Sequence, residues 1–254
     1  MTTRRGGAWA RFGLLAIVTA LVLVPIAATF RSLVGAGAGV RAFLPFVQGA
    51  GLTWFGNSLA VSLSTVAVAV LVGAPAGYVL TRGRSRAVSG YALVVFVLQA
   101  FPLILTIVPL FVLFAGVGLV DSLPGVAVVY VGMSISAAVW MMASAIASVP
   151  VALEEAAWLD GCSIAGGFWR IVMRNSLPGV LSAAVFTFLL SWNDYLVALV
   201  FLRSQQNYTL AIGLEAAGHS PALALLMSLP PVVLFLVFQR HLRFGGVAGS
   251  FGGI

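Results

Sequence analysis

Six long apolar runs constrain the fold of this chain more than any other feature of its sequence. They lie approximately at residues 13–30, 58–80, 91–117, 126–147, 179–202 and 222–239. A helix needs roughly 20 mostly apolar residues to cross a bilayer, and each run is close to that length. The runs therefore predict an all-α membrane protein with six transmembrane helices.

The composition argues against two other classes of protein. Of the 254 residues, 61% are hydrophobic and only 7% are charged, whereas a soluble domain carries about 25% charged residues. A soluble enzyme is therefore disfavoured. A disordered chain is disfavoured as well, because disorder requires far less apolar side-chain surface.

The distribution of arginine predicts how the chain is oriented, because cytoplasmic connections carry an excess of basic residues. With the N-terminus inside, the outer segments hold Arg31, Arg41 and Arg203. The inner segments hold Arg4, Arg5, Arg11, Arg82, Arg84, Arg86, Arg170, Arg174, Arg240 and Arg243. We therefore expect both termini in the cytoplasm. A cleaved signal peptide in place of the first span is less favoured, because no small-x-small cleavage site follows that run.

The chain has no lysine, and this limits its chemistry. All thirteen basic residues are arginine, so the lysine that reaches nucleotide phosphates in a P-loop is missing. If ATP drives this protein, ATP and magnesium are bound by another chain. The single cysteine, Cys162, forms neither an internal disulfide nor a cysteine metal cluster. We expect no metal, cofactor or catalytic site in this chain. The net charge of +7 comes from arginine clusters between apolar runs, which favours a lipid bilayer over nucleic acid.

The inner connection 148–178 is the one long enough to form structure of its own. Pro150 suits a first helical turn, and Glu154 and Glu155 follow where the helix dipole favours negative charge. Gly161 is a typical helix stop, and a second helix is plausible from Ser163. The segment therefore predicts a helix, a glycine turn and a second helix at the inner membrane surface.

The second predicted helix has two different faces. Phe168, Ile171 and Val172 line one side, while Arg170 and Arg174 lie four residues apart on another. From the residues alone, a surface that docks a partner protein and an amphipathic helix that lies on the membrane without a partner both remain open.

A longer pattern in this connection resembles a known family. Residues 155–161 read Glu-Ala-Ala-Trp-Leu-Asp-Gly, and Ile171 follows the glycine by ten residues. This is similar to the EAA loop of ABC importer permeases, which forms a coupling helix that docks into a cleft on the ATPase subunit. The docking residues implied by the resemblance are Glu154, Glu155, Ala156, Ala157, Asp160, Gly161 and Ile171. Where the family usually has Leu-Pro, this chain has Met173-Arg174, so the end of the second helix is left open.

Further segments are similar to the maltose-type carbohydrate permeases within that family. They are Asn57-Ser58-Leu59, Ala76-Gly77-Tyr78 with Arg82, Phe101-Pro102, Val108-Pro109-Leu110, residues 118–122 and 191–199, and the tail glycines Gly245, Gly249 and Gly253. The resemblance covers roughly residues 53–254. It implies the ABC importer permease fold, with a first helix and outer segment (1–56), a permease core (57–240) and a cytoplasmic glycine-rich tail (241–254).

The resemblance also implies partners and a location. We expect a second homologous permease subunit, two ABC ATPase subunits and an extracytoplasmic solute-binding protein in the cytoplasmic (inner) membrane of a bacterium. The expected substrate is a carbohydrate or a relative such as a polyol. Two alternatives are a stand-alone secondary transporter and a membrane-embedded enzyme. A secondary transporter usually needs several intramembrane charges, and an enzyme needs a catalytic constellation that this sequence lacks.

Polar residues interrupt the fifth run at Trp192, Asn193, Asp194 and Tyr195. A carboxylate inside a bilayer must face protein or water. Aromatic rings, amides and carboxylates also suit the faces and hydroxyl groups of sugars. Two interpretations stay open: these residues line the substrate path, or they bond to a neighbouring helix.

Overall fold

The structure, a computed structural model, describes residues 3–35, 43–100, 102–218 and 220–239. Within these residues the chain is helical, with no strand, as the apolar runs predict. The helices are α1 (Thr3–Gly35), α2 (Leu44–Gln48), α3 (Gly51–Arg82), α4 (Arg86–Ala100), α5 (Leu103–Gly116), α6 (Leu123–Ala147), α7 (Val151–Leu159), α8 (Ile164–Gly167), α9 (Met173–Asn175), α10 (Leu177–Asn193), α11 (Leu196–Phe201), α12 (Leu210–Ala216) and α13 (Pro221–Phe238). A π-helical turn (Phe168–Val172) joins α8 to α9, and a 3-10 turn (Gln205–Asn207) precedes α12.

Helices α3, α6 and α10 pack against one another and hold most of the buried residues. Small residues let α3 and α6 approach closely. A Cβ atom placed at Gly77 would lie 2.8 Å from the backbone nitrogen of Ala143, whereas one at Gly73 would lie 3.6 Å from the Cβ of Ala138. The Gly73-x-x-x-Gly77 spacing is therefore a helix-packing feature.

The predicted spans correspond to helices, although two of them are broken. The third run divides into α4 and α5 at Pro102, and the fifth divides into α10 and α11 at Asp194 and Tyr195. Proline lacks the N–H that a continuous helix requires. At the second break, the Asp194 carboxylate accepts the N–H of Val197 and so begins a new helix. Each of these two runs is therefore a pair of helices rather than one continuous helix.

Three helices, α3, α6 and α13, are individually long and apolar enough to cross a membrane. Two bent pairs pass the same test together, namely α4 with α5 and the segment 164–175 with α10, so the described residues account for up to five spans. Helix α1 covers the first predicted run, where the apolar stretch with described side chains is Phe12–Leu21. The count of six and the inside position of both termini stay predictions.

The turn between α5 and α6 is tight. Gly118 has a φ of +71° and Asp121 one of +57°. Ser122 then caps α6 by accepting the N–H of Gly125, and Pro124 occupies the first turn. The predicted tail 241–254, Arg240 and Arg243 lie outside the described residues. The predicted division at residue 56 stays a prediction, and α3 runs through it.

Candidate functional site

The helix–turn–helix predicted for residues 148–178 is present in the structure. Helix α7 follows Pro150 and ends at Leu159. Gly161 has a φ of +85°, a conformation that glycine adopts without steric cost. Its N–H donates to the carbonyl of Trp158, and the N–H of Cys162 donates to that of Ala157. These two bonds form a Schellman motif, which defines the end of α7.

The second half of the connection packs against the core of the molecule. Ser163 caps α8 by accepting the N–H of Gly166. Phe168 and Val172 are buried against α3, α6 and α10, whereas Arg170 and Arg174 are exposed. These two faces are those predicted, but they lie on a π-helical turn and the short α9 rather than on one regular α-helix. Such turns occur frequently at functional sites.

The seven implied docking residues divide between exposed and buried positions. Glu155, Ala156, Asp160 and Gly161 are exposed, and Ala157 and Ile171 are half-buried. Leu159, at the end of α7, is 89% exposed. Glu154 differs from the rest because only 1% of its surface is exposed. The structure thus brings six of the seven residues onto accessible surface and places Glu154 inside the protein.

Glu154 is held by two residues of α3. Its Oε1 accepts a hydrogen bond from Nε of Arg82 at 2.8 Å and lies 2.6 Å from Nη2. Its Oε2 accepts from the Tyr78 hydroxyl at 2.8 Å. Arg82 also donates through Nη2 to the carbonyl oxygens of Val149, at 2.8 Å, and Ile146, at 3.4 Å. We call Tyr78, Arg82 and Glu154 the inner clasp.

The inner clasp was not predicted. Arg82 was grouped with the arginines that orient the chain, and Glu154 with the docking residues. A local signal existed, since Tyr78 and Arg82 are four residues apart and therefore share a face of α3. No local signal pairs either residue with Glu154, which is 72 positions further along the chain than Arg82.

The four residues predicted for a substrate path have different environments. Trp192 is 2% exposed. Its indole N–H donates to the carbonyl of Met227 on α13, and its ring stacks on Phe188 with 5.4 Å between centroids. Asp194 accepts from the Tyr130 hydroxyl at 3.0 Å, and Tyr195 packs against the cluster that contains Tyr130. Trp192, Asp194 and Tyr195 therefore make helix-packing contacts.

Asn193 has an exposed side chain. Its Nδ2 donates to the carbonyl of Leu189 on its own helix, and among the described residues nothing donates to its Oδ1. Ser182 lies eleven residues earlier, which is about three helical turns, so the two side chains share one face of α10. Ser182 borders a groove of about 540 Å³ between α6 and α10 that is also lined by Trp140, Ser144, Ser148 and Asn175. Hydroxyl groups and amides thus recur along one side of α6 and α10.

A second polar network lies at the opposite end of these helices and was not predicted. Oδ1 of Asp121 accepts from the backbone N–H groups of Arg203 and Ser204, both at 2.9 Å. Its Oδ2 accepts from the Ser204 hydroxyl, and Asn207 donates to its backbone carbonyl. Burial raises the pKa of Asp121, but the hydrogen bonds from Ser204, Arg203 and Asn207 outweigh it and lower the pKa from 3.8 to about 2.

Residues 205–208 are bonded to the start of α3. The Trp54 indole donates to the carbonyl of Gln205 at 2.9 Å, and Asn57 donates to those of Gln206 and Tyr208. We call these contacts, together with those of Asp121, the outer network. In the residues that the structure describes, no group of three or more histidine, cysteine, aspartate or glutamate side chains could hold a metal ion.

The amino-acid sequence of this chain is similar to those of known transport proteins. A family model described as the inner membrane component of binding-protein-dependent transport systems matches residues 69–245. A putative ABC transporter permease protein, ORF1, from Streptomyces antibioticus is 39% identical over 76% of this chain and 88% of its own length. The trehalose transport system permease protein SugB from Mycobacterium tuberculosis is 29% identical over 78% of this chain and 76% of its own length.

A solved structure has the same fold. A chain in the crystal structure of a bacterial ABC transporter involved in the import of the acidic polysaccharide alginate superposes with a TM-score of 0.79. The similarity covers 94% of this chain and 98% of that chain, at 19% sequence identity. At this identity the comparison supports the fold alone.

Proposed function

This chain belongs to the family of binding-protein-dependent transport system inner membrane components, and from that membership we propose a specific role for it. It is the permease subunit of an ATP-driven importer, forms part of the path for a carbohydrate, and couples to an ATPase subunit through residues 148–178. Helix α7 provides the docking surface, and one face of α6 and α10 borders the path.

The observation that carries this proposal is the exposed ridge of α7. Glu155, Ala156, Leu159 and Asp160 are accessible, while Glu154 on the same helix is buried and bonded to α3. Alanine lets a partner backbone approach closely. The exposed Leu159 supplies an apolar anchor, and the two carboxylates can pair with basic groups.

The absence of lysine supports a division of tasks between chains. A P-loop ATPase needs a lysine at the nucleotide phosphates, and this chain has none. We therefore assign the binding of ATP and magnesium to two partner ATPase subunits. A second homologous permease completes the membrane part, and an external solute-binding protein delivers the substrate.

A carbohydrate or related polyol fits the polar face of α6 and α10. Ser182, Asn193 and the groove beside Trp140 offer hydroxyl, amide and aromatic groups, which suit a neutral polyhydroxylated ligand. The names of the relatives agree with this class, since one of them transports trehalose. Of the four residues predicted for the path, we retain Asn193 alone as a candidate for substrate contact.

In the proposed mechanism, residues 148–178 transmit the motion of the ATPase subunits to the membrane spans. The chain has six spans, and both of its termini lie in the cytoplasm. ATP binding draws the two ATPase subunits together, and α7 moves with the subunit on which it is docked. The spans then pass from an inward-facing to an outward-facing arrangement, and ATP hydrolysis restores the first arrangement.

Copurification tests the proposal directly. The tagged chain is expressed with the proteins encoded beside it, and a P-loop ATPase is expected to copurify in detergent. Glu155→Lys is expected to weaken that association, because it reverses a charge on the exposed ridge. Arg84→Glu, a charge reversal at another exposed inner position, is the control. Transport by the purified chain alone in proteoliposomes, without an ATPase, would instead identify a secondary transporter.

A further inference from the structure

The inner clasp joins α7 to α3 at one carboxylate. Glu154 belongs to α7, whereas Tyr78 and Arg82 belong to the last two turns of α3. Both oxygens of the carboxylate accept hydrogen bonds from α3. Because Glu154 is 1% exposed, water does not replace these bonds when they break. A buried carboxylate without its partner is strongly unfavourable, so α7 is tied to the end of α3.

Arg82 extends the connection to α6. The segment between α6 and α7 consists of Ser148, Val149 and Pro150, and such a short connection is the natural place for a hinge. Nη2 of Arg82 donates to the carbonyl of Val149 within it, and to Ile146 in the last turn of α6. One guanidinium group therefore holds the end of α6, the connection and α7 together.

The two adjacent glutamates, Glu154 and Glu155, therefore have different roles. Neighbouring positions on a helix point about 100° apart. Glu154 points into the protein and Glu155 is exposed on the ridge. A force that acts on the ridge reaches α3 and α6 through the carboxylate next to it.

We propose that Glu154, Arg82 and Tyr78 are positioning residues that make α7 move as one body with the inner ends of α3 and α6, so that displacement of the docked loop is transferred to the spans. This inference rests on the proposed docking of α7 to an ATPase, but it concerns transmission rather than docking. Breaking the inner clasp separates ATP hydrolysis from transport while the ridge still binds its partner.

The experiment measures both activities in the complete transporter, coexpressed and reconstituted with its copurifying subunits. Glu154→Gln removes the charge and keeps the shape of the side chain. The amount of ATPase subunit bound is expected to stay at the wild-type level, while substrate transported per ATP hydrolysed falls at least about fivefold, as for a typical coupling free energy. Glu155→Gln, the matched control, is expected to lower the amount of ATPase subunit bound.

A second variant distinguishes transmission from simple stabilisation. Arg82→Met combined with Glu154→Leu replaces the ion pair with apolar side chains, which often preserves stability. This double variant is expected to assemble with the ATPase and to remain uncoupled, because it lacks the directional bonds to Val149 and Tyr78. Wild-type transport per ATP in either Glu154→Gln or the double variant would overturn the inference. If no ATPase copurifies with the wild-type chain, the proposed function fails instead.

Discussion

At the scale of single residues, side chains that are adjacent in the sequence lie in different environments. Glu154 and Glu155 are adjacent and chemically identical, yet one is buried in the inner clasp and the other is exposed. Trp192 and Asn193 are likewise adjacent, and the first is buried while the second is exposed. Substitutions at neighbouring positions should therefore have different effects.

Trp192 and Asn193 provide such a comparison. Trp192→Ala removes a buried ring and the bond to Met227, and is expected to lower the stability by about 3–5 kcal/mol. Asn193→Ala is expected to leave stability unchanged and to reduce uptake, because its side chain is exposed on the polar face of α10. Thermal unfolding of the purified transporter and substrate uptake by vesicles measure the two effects. Unchanged uptake by Asn193→Ala would remove this residue from the path.

Asp121 gives the protein a specific dependence on pH. Its pKa falls from 3.8 to about 2 in the folded protein, since the bonds from Ser204, Arg203 and Asn207 outweigh the effect of burial. A carboxyl group with a lowered pKa stabilises the fold above its ordinary pKa, and that contribution is lost as the pH falls through the folded value. Asp121→Asn is therefore expected to lower the unfolding temperature at pH 5 and to flatten its decrease between pH 4 and pH 2. If thermal melts gave this variant the same unfolding temperatures as the wild type at each pH, the stabilising role of the Asp121 carboxylate would be contradicted.

At the scale of helices, close approach and termination depend on a few glycines. Helices α3 and α6 approach most closely at Gly77, where an added Cβ would meet backbone, whereas Gly73 has room for ordinary contact. Helix α7 ends at a Schellman motif that needs the positive φ of Gly161. Substitutions at Gly77 and at Gly161 therefore test helix packing and helix termination separately.

Gly77→Ala is expected to destabilise the bundle by about 1–3 kcal/mol, because the methyl group forces α3 away from α6. Gly73→Ala, on the same face one turn earlier, is expected to have little effect. The measurement is thermal unfolding of the two variants in one detergent. Equal unfolding temperatures for both would show that α3 and α6 do not pack in this way.

Gly161→Ala is expected to weaken ATPase association, because a left-handed conformation costs a non-glycine residue about 1–2 kcal/mol and α7 then ends differently. Gly161→Asn is the control, since asparagine tolerates this conformation better than alanine. Quantitative copurification compares the two. An equal loss of ATPase association in both variants would indicate that docking requires the absence of a side chain at residue 161 rather than its backbone conformation.

At the scale of the whole molecule, the chain has a polar network at each end of a three-helix core. The outer network joins the α5–α6 turn to residues 203–208 and to the start of α3. The inner clasp joins α3, α6 and α7. Because an apolar core lies between them, we expect the two networks to lie where the ends of the helices meet water on opposite sides of a bilayer.

The single cysteine makes the orientation of the chain testable. Cys162 lies in the loop between α7 and α8 and is half-buried. With this loop in the cytoplasm, a membrane-impermeant maleimide is expected to label Cys162 in inside-out vesicles and not in intact cells. Gln206→Cys in a Cys162→Ser background is expected to give the opposite pattern. Labelling of Cys162 from outside intact cells would reverse the proposed orientation.

Local features of the sequence predicted local structure well. The apolar runs and the stop at Gly161 depend on composition and on residues within a few positions of each other, and the structure contains both as helices and a helix end. The breaks at Pro102 and Asp194 have local signals as well, since proline lacks a backbone N–H and polar residues interrupt the fifth run.

The sequence by itself determined that the chain is a helical membrane protein with a structured connection at residues 148–178, because apolar runs, helix caps and glycine stops act over one or two helical turns. The tertiary structure alone decided that Glu154 is buried and Glu155 is accessible, that Arg82 binds a residue 72 positions away, and that Trp192 packs while Asn193 is exposed. Which face of a helix is buried depends on the helices beside it, and those neighbours are distant in the sequence. For that reason the helix–turn–helix of residues 148–178 could be predicted from the chain, whereas the inner clasp that supports it required the fold.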